Sequence, residues 1–425
     1  MDNINTLLSN LNDKDKIIRI NSLNELMKLQ QNGKIEKFLS TEFVNNHIHT
    51  KYSFSPYSPT AAIYNAKKAG LCTAGIMDHD SVGGCEEFIE AGKIANMAIT
   101  CGFECRVKMD GTSIYGKRIN NPDQNSIAYV AIHGIPHQNI KKCDEFLAPY
   151  REYRNIRNIK ITNKINLLFN KHRINIDYDK DVVPLSLIFE GGSITERHIM
   201  YAISLKLCQT FGKGMNLVNF LKKELYLQLS VKVEGFLLDS SNQFYEYDLL
   251  GALKSDLIEK VYVDAFEECP KVEDYIAFAK EIGGISAYAY LGDVESSITG
   301  DKKTQKFEDE YLDELFTILK KLGFNAITYM PSRNTKQQLE RVILLCKKHN
   351  FFEISGEDIN SPRQSFICQA LAKDEFIHLS KATYALIGHE MASTKDIEQG
   401  MFTTKTIDKY PSIKIRIEHF SKILH

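Results

Sequence analysis

The stretch FVNNHIHTKYSFSPYSPTAAIYNAKKAGLCTAGIMDHD, residues 43–80, decides the fold. Residues 43–49 read as a short strand, 58–70 as an amphipathic helix ending at Gly70, and 74–80 as a second strand with its exit. The rhythm continues outward. SVGGCEEFIEAGKIAN (81–96) is a helix that Asp80 or Ser81 could cap, and MAITCGFE (97–104) and IAYVAIHGI (127–135) are strands. Much later come the strand ISAYAYLGD (285–293), a helix over 307–323, the strand FNAITYM (324–330), a helix over 335–350 and the strand FFEISGED (351–358). Strands alternating with helices predict an α/β fold built on a parallel sheet or barrel.

The interval between these two blocks breaks the alternation. Residues 137–280 are mostly helical in pattern and read as a helical cap inserted into a barrel made of 41–136 and 281–425, the latter including a C-terminal tail. Residues 1–40 carry Leu7, Leu8, Leu11, Ile17, Ile18, Leu23, Leu26 and Met27 at helix spacing, with Asp13 or Asp15 as caps, and form an N-terminal helical extension. The first part of the insert is basic: 141–180 hold ten Lys and Arg against five Asp and Glu, with Tyr150 and Tyr153 interleaved. That pattern fits a solvated helix face or a cap that meets a polyanion. The acids Glu308, Asp309, Glu310, Asp313 and Glu314 accompany an apolar stripe and read as a solvated face.

Bulk composition limits the function classes. The 425 residues are 43% hydrophobic and 25% charged, with a net charge of -1, so any anion site is local. An apolar run able to span a bilayer and a secretory pattern at the N-terminus are both missing, which predicts a cytoplasmic protein without membrane contact. The nine cysteines are scattered, with no C-x-x-C pair, and read as reduced core thiols.

The chemistry-bearing residues fall at the ends of the predicted strands. His47 and His49 lie two apart on a strand, so both imidazoles face one way and can grip one metal. His79 sits in Asp78-His79-Asp80, where either aspartate could orient an imidazole; the same triplet also suits a helix cap with a surface histidine. Glu104, His133 and Asp358 each end a strand. Such repetition at C-terminal strand ends is how a parallel barrel assembles a site.

In order, NNHIHTKYSFSPYSP, GIMDHDSVGG, GFE, HG and GED resemble the motifs of the PHP (polymerase and histidinol phosphatase) superfamily. The resemblance implies a distorted β/α barrel with up to three metals that hydrolyses phosphoesters. The insert, with Arg154, Arg157 and TERHIMYAI (195–203), is similar to the helical cap of a branch that includes nucleotide phosphatases and RNA-trimming exonucleases. The chain departs from the pattern at Phe54, where an aspartate is usual, and at Tyr290 and Asn360, where histidines are usual. The resemblance therefore implies one complete metal position at His47, His49, Glu104 and Asp358, a second at Glu104 and His133, and a third reduced to His79.

Two imidazoles and two carboxylates suit Mn, Fe or Zn. The expected activity is hydrolysis of a phosphate ester of a nucleotide or short nucleic-acid end by metal-activated water. His79 is the candidate general acid, and Arg106, Arg333 and Arg363 are candidate phosphate holders, with Arg197 and His198 of the insert behind them. The alternative is a PHP-like pseudoenzyme that binds metal or nucleotide without turnover, favoured by Phe54, Tyr290 and Asn360. A third reading is an unrelated amidohydrolase-like metal hydrolase.

Overall fold

The computed structural model describes residues 2–294 and 305–424. Among them, seven strands form one sheet in sequence order: β1 (Val44–Ile48), β2 (Thr73–His79), β3 (Ala98–Lys108), β4 (Ile127–His133), β5 (Ile285–Ala289), β6 (Ala326–Tyr329) and β7 (Phe352–Ser355). Each coincides with a strand expected from the sequence. β1, β2 and β3 pair in parallel, as do β5, β6 and β7. The structure corrects one expectation: β4 runs antiparallel to both neighbours. Its C-terminal His133 pairs with Ile285 at the start of β5, so it points into the lower interior and not to the rim.

The barrel closes at the top through the segment after β7. His49 N–H donates to the Ile359 carbonyl at 2.9 Å, and Ile359 N–H donates to the His47 carbonyl at 3.1 Å. Gly356 permits the approach, because a Cβ there would stand 2.7 Å from the His47 Cβ and 2.8 Å from its backbone nitrogen. This closure carries Asp358 to the histidines.

Helices cover the outside. α1 (Asp2–Asn10) packs on α2 (Lys16–Gln31), which packs on α3 (Pro59–Ala69) and α4 (Cys85–Ala95), and the buried ion pair of Arg19 with Glu87 ties α2 to α4. Asp15 caps α2 by accepting from Ile17 N–H, as expected. Neither Asp80 nor Ser81 caps α4, whose cap is Gly84; Asp80 is drawn to Arg154, and Ser81 donates to the Gly191 carbonyl.

The insert follows β4. α5 (Ile140–Phe169) starts on the barrel core and runs into a second core built with α6 (Glu196–Phe211), α7 (Met215–Lys223), α8 (Val231–Leu238) and α9 (Tyr245–Val261). α10 (Val272–Ile282), α11 (Leu312–Leu322) and α12 (Lys336–His349) return to the barrel core. α13 (Ile377–Lys395) packs on β1, β3 and β7 and joins a core formed by the inward residues Ile285, Ala287, Ala326, Phe352 and Ile354. The short α14 (Thr404–Lys409) follows, and α15 (Ile413–Phe420) backs α13.

Candidate metal centre

β1 carries a bulge between Asn45 and Ile48, directly under the histidine pair. Bulges re-aim side chains beside sites, and here both imidazoles converge, with His47 Nε2 3.2 Å from His49 Nε2. Glu104 reaches them from β3, its Oε2 lying 3.1 Å from His47 Nε2 and 3.9 Å from His49 Nε2. Asp358 Oδ1 lies 3.1 Å from His49 Nε2. His79, level with Glu104 on the neighbouring strand, places Nδ1 3.6 Å from the same carboxylate. Donor atoms of His47, His49 and Glu104 all lie within 4.8 Å of one another, a metal-holding spacing.

A hydroxyl relay aims His49. Asp78 accepts from Thr50 N–H at 2.7 Å, from Thr50 Oγ1 at 2.6 Å and from Ser53 Oγ at 2.6 Å. Since the Ser53 proton goes to Asp78, its oxygen is left to accept from His49 Nδ1–H at 3.2 Å. That bond leaves the Nε2 lone pair facing the site, the arrangement a ligating histidine needs. Asn360 does the same for the carboxylate, donating from Nδ2 to Asp358 Oδ1 at 2.7 Å.

The electrostatics agree with a cation-seeking centre. Burial opposes charge on Glu104, yet His79, His47 and His49 bring its carboxyl down to about 2. Burial likewise opposes charge on Asp358, and His49 and His47 still hold it well below the usual carboxylate range. Burial pulls the His47 imidazole down, but the Glu104 contact leaves it above the ordinary value. His79 is pushed down to about 3, chiefly by burial, with Glu104 offsetting part of the shift. At neutral pH it is a neutral imidazole with one lone pair and without the second proton of the imidazolium, which counts against the general-acid role expected for it.

His133 lies one layer below. It is 1% exposed, and neither ring nitrogen has a hydrogen-bond partner. Burial pushes it down to about 3. A buried imidazole with both nitrogens orphaned is costly unless something else coordinates it, so the donors present fit the divalent metal that the sequence motifs imply.

The three arginines expected to hold phosphate are engaged elsewhere. Arg106 is buried and ion-paired with Glu268, with Glu196 at 3.7 Å. Arg363 forms a two-pronged pair with Asp248 at 2.7 and 2.8 Å, and its guanidinium lies 3.8 Å from the Phe236 ring centre. Arg333 Nε donates to the Leu291 carbonyl at 3.4 Å. The basic face of the insert is also spent inward. Arg154 meets Asp80 at 2.5 Å, Arg154 and Arg157 both bind Glu268, and Arg157 also binds Glu196. Glu308, expected on a solvated face, is buried under the loop after β5 and accepts from Leu291 N–H at 2.9 Å; burial lifts its carboxyl to about 7.

The departures from the motif have definite places. Tyr290 turns away and donates to Asp309 at 2.6 Å. Phe54 holds a positive φ of 90°, strained for a residue with a Cβ. Its ring enters the core of the insert, 4.9 Å from His198 and 5.5 Å from Tyr201.

Two cations of the insert lie within electrostatic range of Asp358. Arg197 donates to the Asn360 carbonyl at 3.2 Å, its guanidinium lies 5.3 Å from the Phe54 ring centre, and its Nε is buried without a partner. Lys254, half-buried on α9, senses the charges of Arg197 and Asp358; burial, then Arg197, holds it below the ordinary lysine value. Sequence reading missed Lys254, since nothing around it on α9 separates it from a surface lysine.

A family model for the PHP domain matches residues 45–325, well over half of the chain. The chain belongs to the PHP domain family. Among solved structures, this PHP chain is similar to a Bifidobacterium adolescentis protein described as a metal-dependent phosphoesterase, at 17% identity and a TM-score of 0.51, covering 79% of this chain and 94% of the other. It is also similar to an amidohydrolase from Chromobacterium violaceum with bound sulfate and no metal, at 14% identity and a TM-score of 0.49, covering 80% and 96%. At such identities the likeness concerns the barrel fold. No curated protein sequence matches. Among the described residues, no helix is long and apolar enough to cross a membrane.

Proposed function

We propose that this PHP protein is a metal-dependent phosphoesterase acting on a nucleotide or a short nucleic-acid end. The observation that carries the reading is the convergence of His47, His49, Glu104 and Asp358, with Arg197 of the insert held beside them on the Asn360 carbonyl. The four donors would hold one divalent cation of the Mn, Fe or Zn class, and Glu104 with His133 a second. Such a cation supplies Lewis acidity toward a phosphoryl oxygen and lowers the pKa of water.

The chain's own groups do the rest. Arg197 and Lys254 neutralise a phosphoryl group entering beside Asp358. Ser53 and Asn360 keep His49 and Asp358 aimed. His79 adds a lone pair at Glu104. Tyr201 and Tyr247, half-buried with ring centres 5.2 Å apart, stand next to Phe54 and offer a face on which a base can stack, which supports a nucleotide. Because Arg154 and Arg157 are buried in ion pairs, the insert supports a short end and not a long polyanion. A cytoplasmic location accompanies this reading.

Purified protein would be analysed for bound metal and assayed with an aryl phosphate and with nucleoside bisphosphates in the presence of Mn²⁺. Turnover that disappears in Asp358→Asn supports hydrolysis. Stoichiometric metal without turnover on any phosphoester would favour instead the binding-only alternative, which the outward Tyr290 and the apolar Phe54 suit.

A further inference from the structure

A second set of donors lies on the other face of β3. Cys101 precedes Glu104 by three residues, so its side chain leaves the barrel interior toward the helices. There it meets His137, at the entry to α5, and Glu390 of α13, with one donor atom from each of the three within 4.8 Å of the others. Cys85, at the start of α4, is near enough to Cys101 to raise its thiol. Four elements distant in sequence thus bring two thiols, an imidazole and a carboxylate together.

Hydrogen bonds already orient this cluster. Glu390 accepts from Thr100 Oγ1 at 2.7 Å and from Cys101 N–H at 2.8 Å, and it lies 2.9 Å from His137 Nε2. Glu390 is 2% exposed, and among the described residues its one ionic partner is His137. A buried carboxylate without a lysine or arginine is a charge in search of a cation. His137 keeps 36% of its side chain exposed, which leaves a route for an ion from solvent.

We propose that Cys101, His137 and Glu390, with Cys85 as fourth donor, bind a divalent cation of the zinc class that fastens α13 to the barrel. Sulfur, nitrogen and oxygen donors in a group of four are a tetrahedral zinc set, whose bonds of roughly 2.0–2.3 Å put neighbouring donors about 3.3–3.8 Å apart. Each coordinating thiol gives its proton to solvent and binds as thiolate. The site differs in kind from the centre at His47 and His49, which contains no sulfur.

That difference supplies the test. Metal-free full-length protein is titrated with Co²⁺ and followed in the near-ultraviolet for thiolate-to-cobalt charge transfer. Wild type is expected to show the band once cobalt has also filled the centre at His47 and His49. His49→Asn should keep it, Cys143→Ser should keep it, and Cys101→Ser should lose it. A second readout needs no cysteine variant: Zn²⁺ should raise the melting temperature of His49→Asn, and Glu390→Gln in that background should abolish the rise. Absence of the band in wild type overturns the proposal. So does a band that survives Cys101→Ser, or a zinc-induced rise that survives Glu390→Gln.

Discussion

Arg197 and Arg363 show how little a residue type reveals before its partners are known. Both lie near the mouth of the metal centre, and both read as phosphate holders in the sequence. Arg363 is satisfied by Asp248 and two phenylalanine rings, whereas Arg197 keeps a buried Nε without a partner beside Asn360. Arg197→Ala should lower kcat/KM for a phosphoester by about 10²–10³-fold, the usual loss for one preorganised donor. Bound metal, measured on the same preparation, should not change; a variant with normal kcat/KM would remove Arg197 from the site. Arg363→Ala should cost at most about 1 kcal/mol of stability in urea, because its pair with Asp248 is partly exposed to solvent. His47, His49, Glu104 and Asp358 were legible as site candidates because each falls at the end of a strand expected from the sequence, a local property, although β3 runs on to Lys108 and β7 stops at Ser355. Lys254 was not, because its relevance depends on α9 reaching over the barrel.

At the level of elements, the insert is held by charge. Arg106 from β3, Asp80 after β2, Arg154 and Arg157 from α5, Glu196 from α6, and Glu268 form one buried network of three arginines and three carboxylates. The same arginines suggested an exposed polyanion face when read along α5 alone, since helix periodicity does not report what lies opposite. Glu268→Gln leaves three buried guanidiniums short of a counter-charge. It should destabilise the protein by about 3–5 kcal/mol in denaturant unfolding. A loss below 1 kcal/mol would mean that the network is hydrated and contributes little. On the far side of the barrel, Gly388 lets α13 lie against α15, and a Cβ there would stand 2.0 Å from the Phe420 carbonyl oxygen. Gly388→Ala should cost about 1–3 kcal/mol through overpacking, read as a lowered melting temperature.

For the whole molecule, buried neutral histidines set the response to acid. Burial pushes His79, His133 and His198 down to about 3 and His389 down to about 4. In the unfolded chain each titrates near 6.5. Below about pH 6.5 the unfolded chain therefore binds more protons than the folded one, and stability falls as pH drops toward 4. His47 and His378, raised by neighbouring carboxylates, and the buried carboxyls of Asp78, Asp80, Glu308 and Glu390, raised by burial, act in the opposite sense, but of these only Glu308, at about 7, is displaced as far as the histidines. Glu104, at about 2, adds its loss only below its unfolded value, near pH 4.5. Metal-free protein should show a lower urea midpoint at pH 5.0 than at pH 7.5. His389→Gln, which keeps an acceptor for Met401 N–H, should narrow the difference. Equal midpoints at the two pH values would contradict the assignment of these histidines as neutral and buried.

By itself the sequence determined the seven strands, most of the helices between them, and the four residues of the proposed metal position. Each is written in short-range periodicity, in strand ends, or in a spacing of two along one strand. Only the tertiary structure decided the direction of β4, which moved His133 from the rim to the interior. It also decided which arginines are spent in ion pairs and which stays available, and it carried Asp358 to His49 through the Ile359 bridge. These depend on contacts between residues that belong to different elements of the chain, and no local pattern encodes which partner a charge will meet.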